Sequence, residues 1–324
     1  MIEIQSNSKS GFYQNFNVKF YAKILIAIAL LYFLINYIHY DEIIAAINQS
    51  DKELLLFVFF LSFLNIYLQF LKWRVVCNSL LNIKDDKKIW LSLFYGFSGG
   101  IATPIRVGEY VGRTLPFENV SMMKITVATF LEKFASLFLV LIFGGIAGII
   151  FIDKYYDMVY SLPLIILVVG LVLIIFALLQ GYNVINDFVK RLSLRFAFFN
   201  KLFEEISYIK KLGISAFGNL LLYSFLFYLI YIFQYALLVK AFNQGGNLLY
   251  YFWAGTIVMF AKSFLSFISF ADLGIRESAS VFILSKMGFS KAIGFNAAIF
   301  LFLFNLLIPS IIGFILLFKR DKIH

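Results

Sequence analysis

Cysteine, histidine and charge are all scarce in this chain. Of 324 residues, one is cysteine, Cys77, and two are histidine, His39 and His324. A disulfide within the chain is therefore excluded, and a Cys/His metal site lacks ligands. Charged residues make up only 14%, against roughly a quarter in a soluble domain. No Walker phosphate loop, no H-E-x-x-H and no G-x-S-x-G occurs, so directly ATP-driven transport has no footing in the sequence. No metal and no cofactor is expected. No polar segment is long enough to fold alone, which leaves 1–324 as a single transmembrane domain without a soluble catalytic part.

What the chain does have is apolar length. Hydrophobic residues make up 62%, and several apolar runs reach the roughly 20 residues needed to cross a ~30 Å hydrocarbon core. The fold class is all-α, a polytopic helical membrane protein. The net charge of +10 would point to nucleic acid in a soluble protein. Here the basic residues fall between apolar runs, where they set topology and meet anionic lipid. No nucleic-acid partner is expected. The run Ile24–Ile35 follows some twenty mostly polar residues and continues into NYIHYDE without a small-residue cleavage site. It reads as a retained first span, not a signal peptide.

Full spans are predicted at about 21–39, 54–72, 124–151, 159–180, 214–241 and 291–318. Residues 182–212 mix polar and apolar at helical spacing and suit helices lying in the interface. Lys9, Lys19 and Lys23, then Lys72, Arg74, Lys84, Lys87 and Lys88, six Lys or Arg in 182–212, and Lys319, Arg320 and Lys322 fall on one side. The other side has Lys52, Lys154, Lys240, Lys286 and Lys291. The positive-inside rule makes both termini cytoplasmic, in an inner (cytoplasmic) membrane. Parity then makes two stretches re-entrant. Residues 89–118 enter from the cytoplasm and return to it. Residues 249–287, beginning with the apolar 249–268, enter from outside and return there. Two opposed hairpins are the mark of an inverted repeat, with halves of roughly 21–180 and 182–318.

The apex sequences are TPIRVGEYVGRT (103–114) and SFADLGIRESAS (269–280). Broken backbone at membrane depth must be buried in protein or line a wet cavity. Gly96, Ser98, Gly99 and Gly100 let the first arm pack closely. Thr103 and Pro104 read as N-cap and first helical residue. Arg106, Glu109, Tyr110 and Arg113 then share one face. At the second apex Asp272 is predicted to cap a helix beginning at Leu273, with Arg276 and Glu277 in its first turn. Two positive helix ends and an arginine from each side would make an anion site suited to phosphate. Alternatively, the charges pair only to hold the fold. Intramembrane charge is expensive and usually functional. Glu132, Lys133 and Lys262 are further intramembrane charges, open to site lining or structural pairing. Gly144 and Gly148 read as a helix-packing step.

The chain resembles the stand-alone flippase-like membrane proteins related to the N-terminal transmembrane domain of lysylphosphatidylglycerol synthases. The resemblance rests on Pro104-Ile105-Arg106-Val107-Gly108-Glu109 with Arg113, on Glu132-Lys133 where the family has Glu-Arg, on Leu273-Gly274-Ile275-Arg276-Glu277, and on the closing helix from Gly288 to Leu317. Three departures stand out. Arg113 lies one position late, Ser136 replaces a frequent aspartate, and Phe270-Ala271-Asp272 replaces Pro-Gly-Gly. The resemblance implies movement of lipids with charged headgroups between leaflets. It makes Arg106, Arg113 and Arg276 the phosphate holders. Glu109 and Glu277 would orient them or bind a lipid amine, and Glu132, Lys133 and Asp272 would complete the substrate site. The partner would be a lipid with an anionic or zwitterionic headgroup, with homo-oligomers or envelope-biogenesis enzymes as further partners. A lipid-linked transferase and a non-transporting assembly partner are the rival readings. A chain stopping at His324, without the synthases' soluble aminoacyl-transferring domain, is not expected to aminoacylate lipid.

Overall fold

Helices begin where a short polar residue precedes an apolar run. Asp51 accepts from the Leu54 amide (3.0 Å), Asp85 from Lys87 and Lys88 (3.0 and 3.2 Å), and Ser121 from Lys124 (3.2 Å). Each is a side-chain cap satisfying a first-turn N–H that has no intrahelical partner. The computed structural model describes residues 32, 40–103, 106–118, 120–156, 162, 164–166, 168–170, 212–268 and 274–320.

The helices are α1 (Tyr40–Gln49), α2 (Lys52–Val76), α3 (Asp86–Ala102), α4 (Val107–Gly112), α5 (Met122–Leu139), α6 (Gly145–Tyr155), α7 (Ile214–Asn243), α8 (Leu248–Ile268), α9 (Ile275–Lys286), α10 (Lys291–Phe302) and α11 (Ile308–Arg320). Wider π turns at Val140–Gly144 and Leu303–Leu307 join α5 to α6 and α10 to α11. Five stretches are long and apolar enough to cross a membrane: Lys52–Leu81, Met122–Tyr155, Ile214–Asn243, Leu248–Leu265 and Lys291–Lys319. This is an all-α, multi-pass membrane protein, and among the described residues there is no strand. All but residue 32 of the predicted span 21–39, all but residue 212 of the predicted interfacial stretch 182–212 and most of the span 159–180 lie outside the described residues.

The long helices pack on one another along one side and keep the other apolar and open. On α2, Phe57, Phe60, Phe63, Leu64 and Tyr67 are exposed, while Val58, Ile66 and Trp73 are buried. In a bilayer the open face meets lipid, as a hydrophobic surface without a protein partner must. Gly144 lies against Phe260 of α8, so the Gly144–Gly148 step serves helix packing.

A buried polar link ties α2, α7 and the second π turn. The Asn65 side-chain amide donates to Gln234 (2.7 Å) and to Asn305 (2.8 Å). π turns are rare and recur at functional positions, and here one carries the Asn305 carboxamide.

The first hairpin is α3 with α4. A Cβ on Gly99 would fall 2.1 Å from the Gly108 carbonyl oxygen, so the two backbones touch and tolerate no side chain. On its other side α3 is fastened to α11: Ser98 donates to the Ser310 carbonyl (2.9 Å) and Ser310 to that of Phe97 (3.0 Å). Helix α9 packs against α8 and α10; α8, predicted as one arm of a re-entrant hairpin, is instead long and apolar enough to cross a membrane over Leu248–Leu265. With six and twelve residues, α4 and α9 are about 9 and 18 Å long at 1.5 Å per residue. Neither crosses a ~30 Å core alone.

Candidate functional site

The four-residue spacing of Glu109 and Arg113 brings them onto one face, and the structure pairs them. Arg113 Nη2 donates to Glu109 Oε1 (2.8 Å), and Arg106 Nη2 lies 3.0 Å from Glu109 Oε2. The local route differs from the expected one. Thr103 is not the residue just before α4; it ends α3 in an extended conformation, which the following proline favours, and reaches the first turn of α4 from there. Its hydroxyl donates to the Gly99 carbonyl (2.8 Å) and accepts the Gly108 N–H (2.6 Å). Helix α4 starts only after Arg106, whose own backbone is left-handed (φ 57°).

Helix α5 supplies Glu132 and Lys133. Glu132 Oε2 lies 3.1 Å from Arg113 Nη1, and Lys133 Nζ lies 2.7 Å from Glu109 Oε1. The adjacent Glu132 and Lys133 therefore turn to different partners, Glu132 to Arg113 and Lys133 to Glu109. A sixth member is Lys72 of α2, whose ammonium lies 2.6 Å from Glu132 Oε1 and 2.5 Å from Ser136 Oγ. Lys72 was read above as a cytoplasmic flank, yet its side chain is only 3% exposed. The orientation argument loses this one residue. A sequence signal for it exists: Ser62, Asn65, Gln69 and Lys72 follow one another at three- and four-residue steps, a polar stripe along an apolar helix.

The group has a closed side and an open side. Arg113 is sealed at 2% exposure, with its guanidinium 4.5 Å over the Trp73 ring and its backbone carbonyl held by Ser92 (2.8 Å). Arg106 (27%) and Lys133 (36%) are the accessible members. Four cations and two carboxylates lie together, and charges taken this far out of water persist only when paired. In this setting, guanidinium and ammonium groups at the open side can receive an anion.

The second group sits at the start of α9. Glu277 Oε1 lies 2.6 Å from Arg276 Nη2, and its Oε2 accepts the Gly274 N–H (2.7 Å). Gly274 has φ +95°, a conformation open to glycine. Helix α9 begins at Ile275, two residues after the predicted start, and Glu277 reaches back to the Gly274 amide. Asp272 itself lies outside the described residues. Both apexes also differ from the expected anion site in their backbone. The Gly108 and Gly274 amides are already taken by Thr103 and Glu277, so neither of them is available to an anion. Arg276 lines a small cavity of about 10 Å³ with Lys262, Tyr235 and Gly255, near the volume one water needs. Tyr235 Oη meets Ser280 Oγ at 2.6 Å. Sequence reasoning had missed Tyr235, hidden in an aromatic-rich helix.

Among the described residues no group of three metal-ligating side chains occurs.

A family model described as the lysylphosphatidylglycerol synthase TM region matches residues 20–313, which include both charged groups. The chain belongs to the lysylphosphatidylglycerol synthase TM region family. No curated protein matches the chain, and neither does any solved structure. The lysylphosphatidylglycerol synthase TM region is a membrane domain associated with lipid-related function. Within the matched stretch, the buried ion pairs join Lys72, Arg106, Glu109, Arg113, Glu132 and Lys133 in one group and Arg276 with Glu277 in the other.

Proposed function

We propose that this protein is a lipid flippase, moving a phosphate-bearing lipid or glycolipid between leaflets. The observation that carries this reading is the half-open cationic group: Arg106 and Lys133 at the accessible edge, backed by buried Arg113. A headgroup phosphate meets Arg106 and Lys133 first. A planar guanidinium offers it two parallel donors, and the ammonium adds a point charge. Arg276 belongs to the opposing hairpin and takes the phosphate from the other side. The lipid's acyl chains remain along the open apolar faces of the long helices.

Halves of about 21–180 and 182–318, related as inverted repeats, would rock about the site to give alternating access. The protein resides in the inner membrane with both termini cytoplasmic, as the loop charges support. A transferase would need a carboxylate available as base. Glu109, Glu132 and Glu277 each have a cation within 2.8 Å, which favours transport over catalysis.

The test is translocation of head-group-labelled phospholipids and isoprenoid-linked lipids in proteoliposomes. Wild type is compared with folded Arg106→Ala and Arg276→Ala. Wild-type movement that both substitutions abolish is the expected result. Movement unaffected by either removes the site from the pathway.

A further inference from the structure

Glu109 has more cationic partners than any other carboxylate of the two groups. Lys133 Nζ lies 2.7 Å and Arg113 Nη2 2.8 Å from Oε1, and Arg106 Nη2 lies 3.0 Å from Oε2 as a charge contact without hydrogen-bond geometry. Three cations converging on one small anion is the arrangement a phosphate group would take in the same place. The partners are also the ones an incoming anion can reach. Arg106 and Lys133 form the open edge, and both are turned onto Glu109. Glu132, by contrast, is held by Lys72 and Arg113, which are 3% and 2% exposed.

We infer that Glu109 is a built-in stand-in for the headgroup phosphate, occupying the anion site until a lipid phosphate displaces it. This rests on the reading that the group binds lipid phosphate. In the exchange Arg106 and Lys133 turn from the carboxylate to the phosphate, and Arg113 keeps Glu109. No carboxylate is left buried without a cation, so the large cost of an uncompensated charge is avoided. The side chain lies directly over Gly96 and Gly100, where an added Cβ would stand 3.3 Å from its Cγ and Cβ, so a larger residue at either glycine would crowd it. The α4 backbone stays fixed, because Gly108 and Gly112 abut α3. An internal competitor of this kind lowers apparent affinity by the fraction of time it fills the site, and its removal restores that affinity. Glu109 would thereby keep the cations paired when no lipid is bound and keep the phosphate releasable on the far side.

The test uses the full chain in a phosphate-free maltoside detergent, titrated with fluorescent phosphatidic acid, with inorganic phosphate as a separate titrant. Glu109→Gln is expected to tighten phosphatidic acid binding about five- to tenfold, the gain from deleting a competing ligand. Glu132→Gln is expected not to tighten it, and Arg106→Ala to weaken it at least about tenfold. Unchanged or weaker binding by folded Glu109→Gln, with Arg106→Ala still impaired, overturns the stand-in role alone. Binding indifferent to Arg106→Ala overturns the phosphate site itself. Inorganic phosphate binding as tightly as the lipid makes the ligand a free anion and overturns the lipid reading. Should Glu109→Gln fail to fold, Glu109→Asp withdraws the carboxylate by one methylene. A gain of about two- to threefold then supports the inference, and no gain overturns it.

Discussion

Around Glu109 and Glu132 the charges come from three helices, α2, α4 and α5; around Glu277 the partners come from α9 and the residue before it. Lys72–Glu132, Arg113–Glu132 and Lys133–Glu109 are also contacts between different helical segments, so moving one of these charges moves a helix or releases one. The Arg276–Glu277 pair closes between neighbours and at the same time caps the helix start. Exposure follows the same division. Arg106 and Lys133 open the first group at 27% and 36%, whereas Arg276 and Glu277 are at 5% and 0%. A charge pair spread over several helices can answer a ligand; one folded into a single turn fixes a helix end. In this arrangement the molecule offers one half of its proposed site.

The largest effect should separate the two arginines. Arg113→Ala takes one cation from each of two buried carboxylates and empties the space under Trp73, and is expected to cost about 3–5 kcal/mol. Arg276→Ala leaves Glu277 its Gly274 N–H and should cost less. Unfolding in a common detergent measures both, and equal losses would break the comparison. Next, Lys72→Met leaves Glu132 with Arg113 alone, an expected loss of about 2–3 kcal/mol. Lys72→Arg should recover part of it by the same assay, whereas a neutral Lys72→Met would return Lys72 to the role of a topological flank. A smaller loss, about 1–3 kcal/mol, is expected for Gly99→Ala, because the new methyl meets backbone that cannot rotate away. Reduced thermal stability together with weaker phosphatidic acid binding would show that the α3–α4 contact sets the site. The smallest expected term is a coupling. Arg113 and Glu132 in a double-mutant cycle should couple by about 0.5–3 kcal/mol, and Arg113 with Glu277 by under about 0.5 kcal/mol. A large second coupling would mean that the two groups act as one.

The Arg106, Glu109 and Arg113 set was legible because helical spacing is local: residues three and four apart meet whatever surrounds them. Apolar lengths were legible for the same reason: four of the five membrane-length stretches fall on predicted full spans, whereas Leu248–Leu265 falls on the stretch predicted to be re-entrant. Lys72 was not, because a lysine closing an apolar run looks identical as a flank or as a buried partner. Two residues on, Arg74 is the ordinary flank, 44% exposed and paired with Asp86 at 2.7 Å. The helix starts at the apexes were also misplaced. Thr103 and Asp272 have the right chemistry to cap, but Thr103 spends its hydroxyl on the α3–α4 turn, and Glu277 reaches the Gly274 amide.

Sequence alone determined that this is a helical membrane protein and which charges lie near one another along a helix. Tertiary structure decided which cation meets which carboxylate, and which of them still face outward. The reason is physical: periodicity acts within a few residues, whereas burying a charge is settled by partners that the fold brings from elsewhere in the chain. Lys72 on α2 and Glu132 on α5 are such a pair.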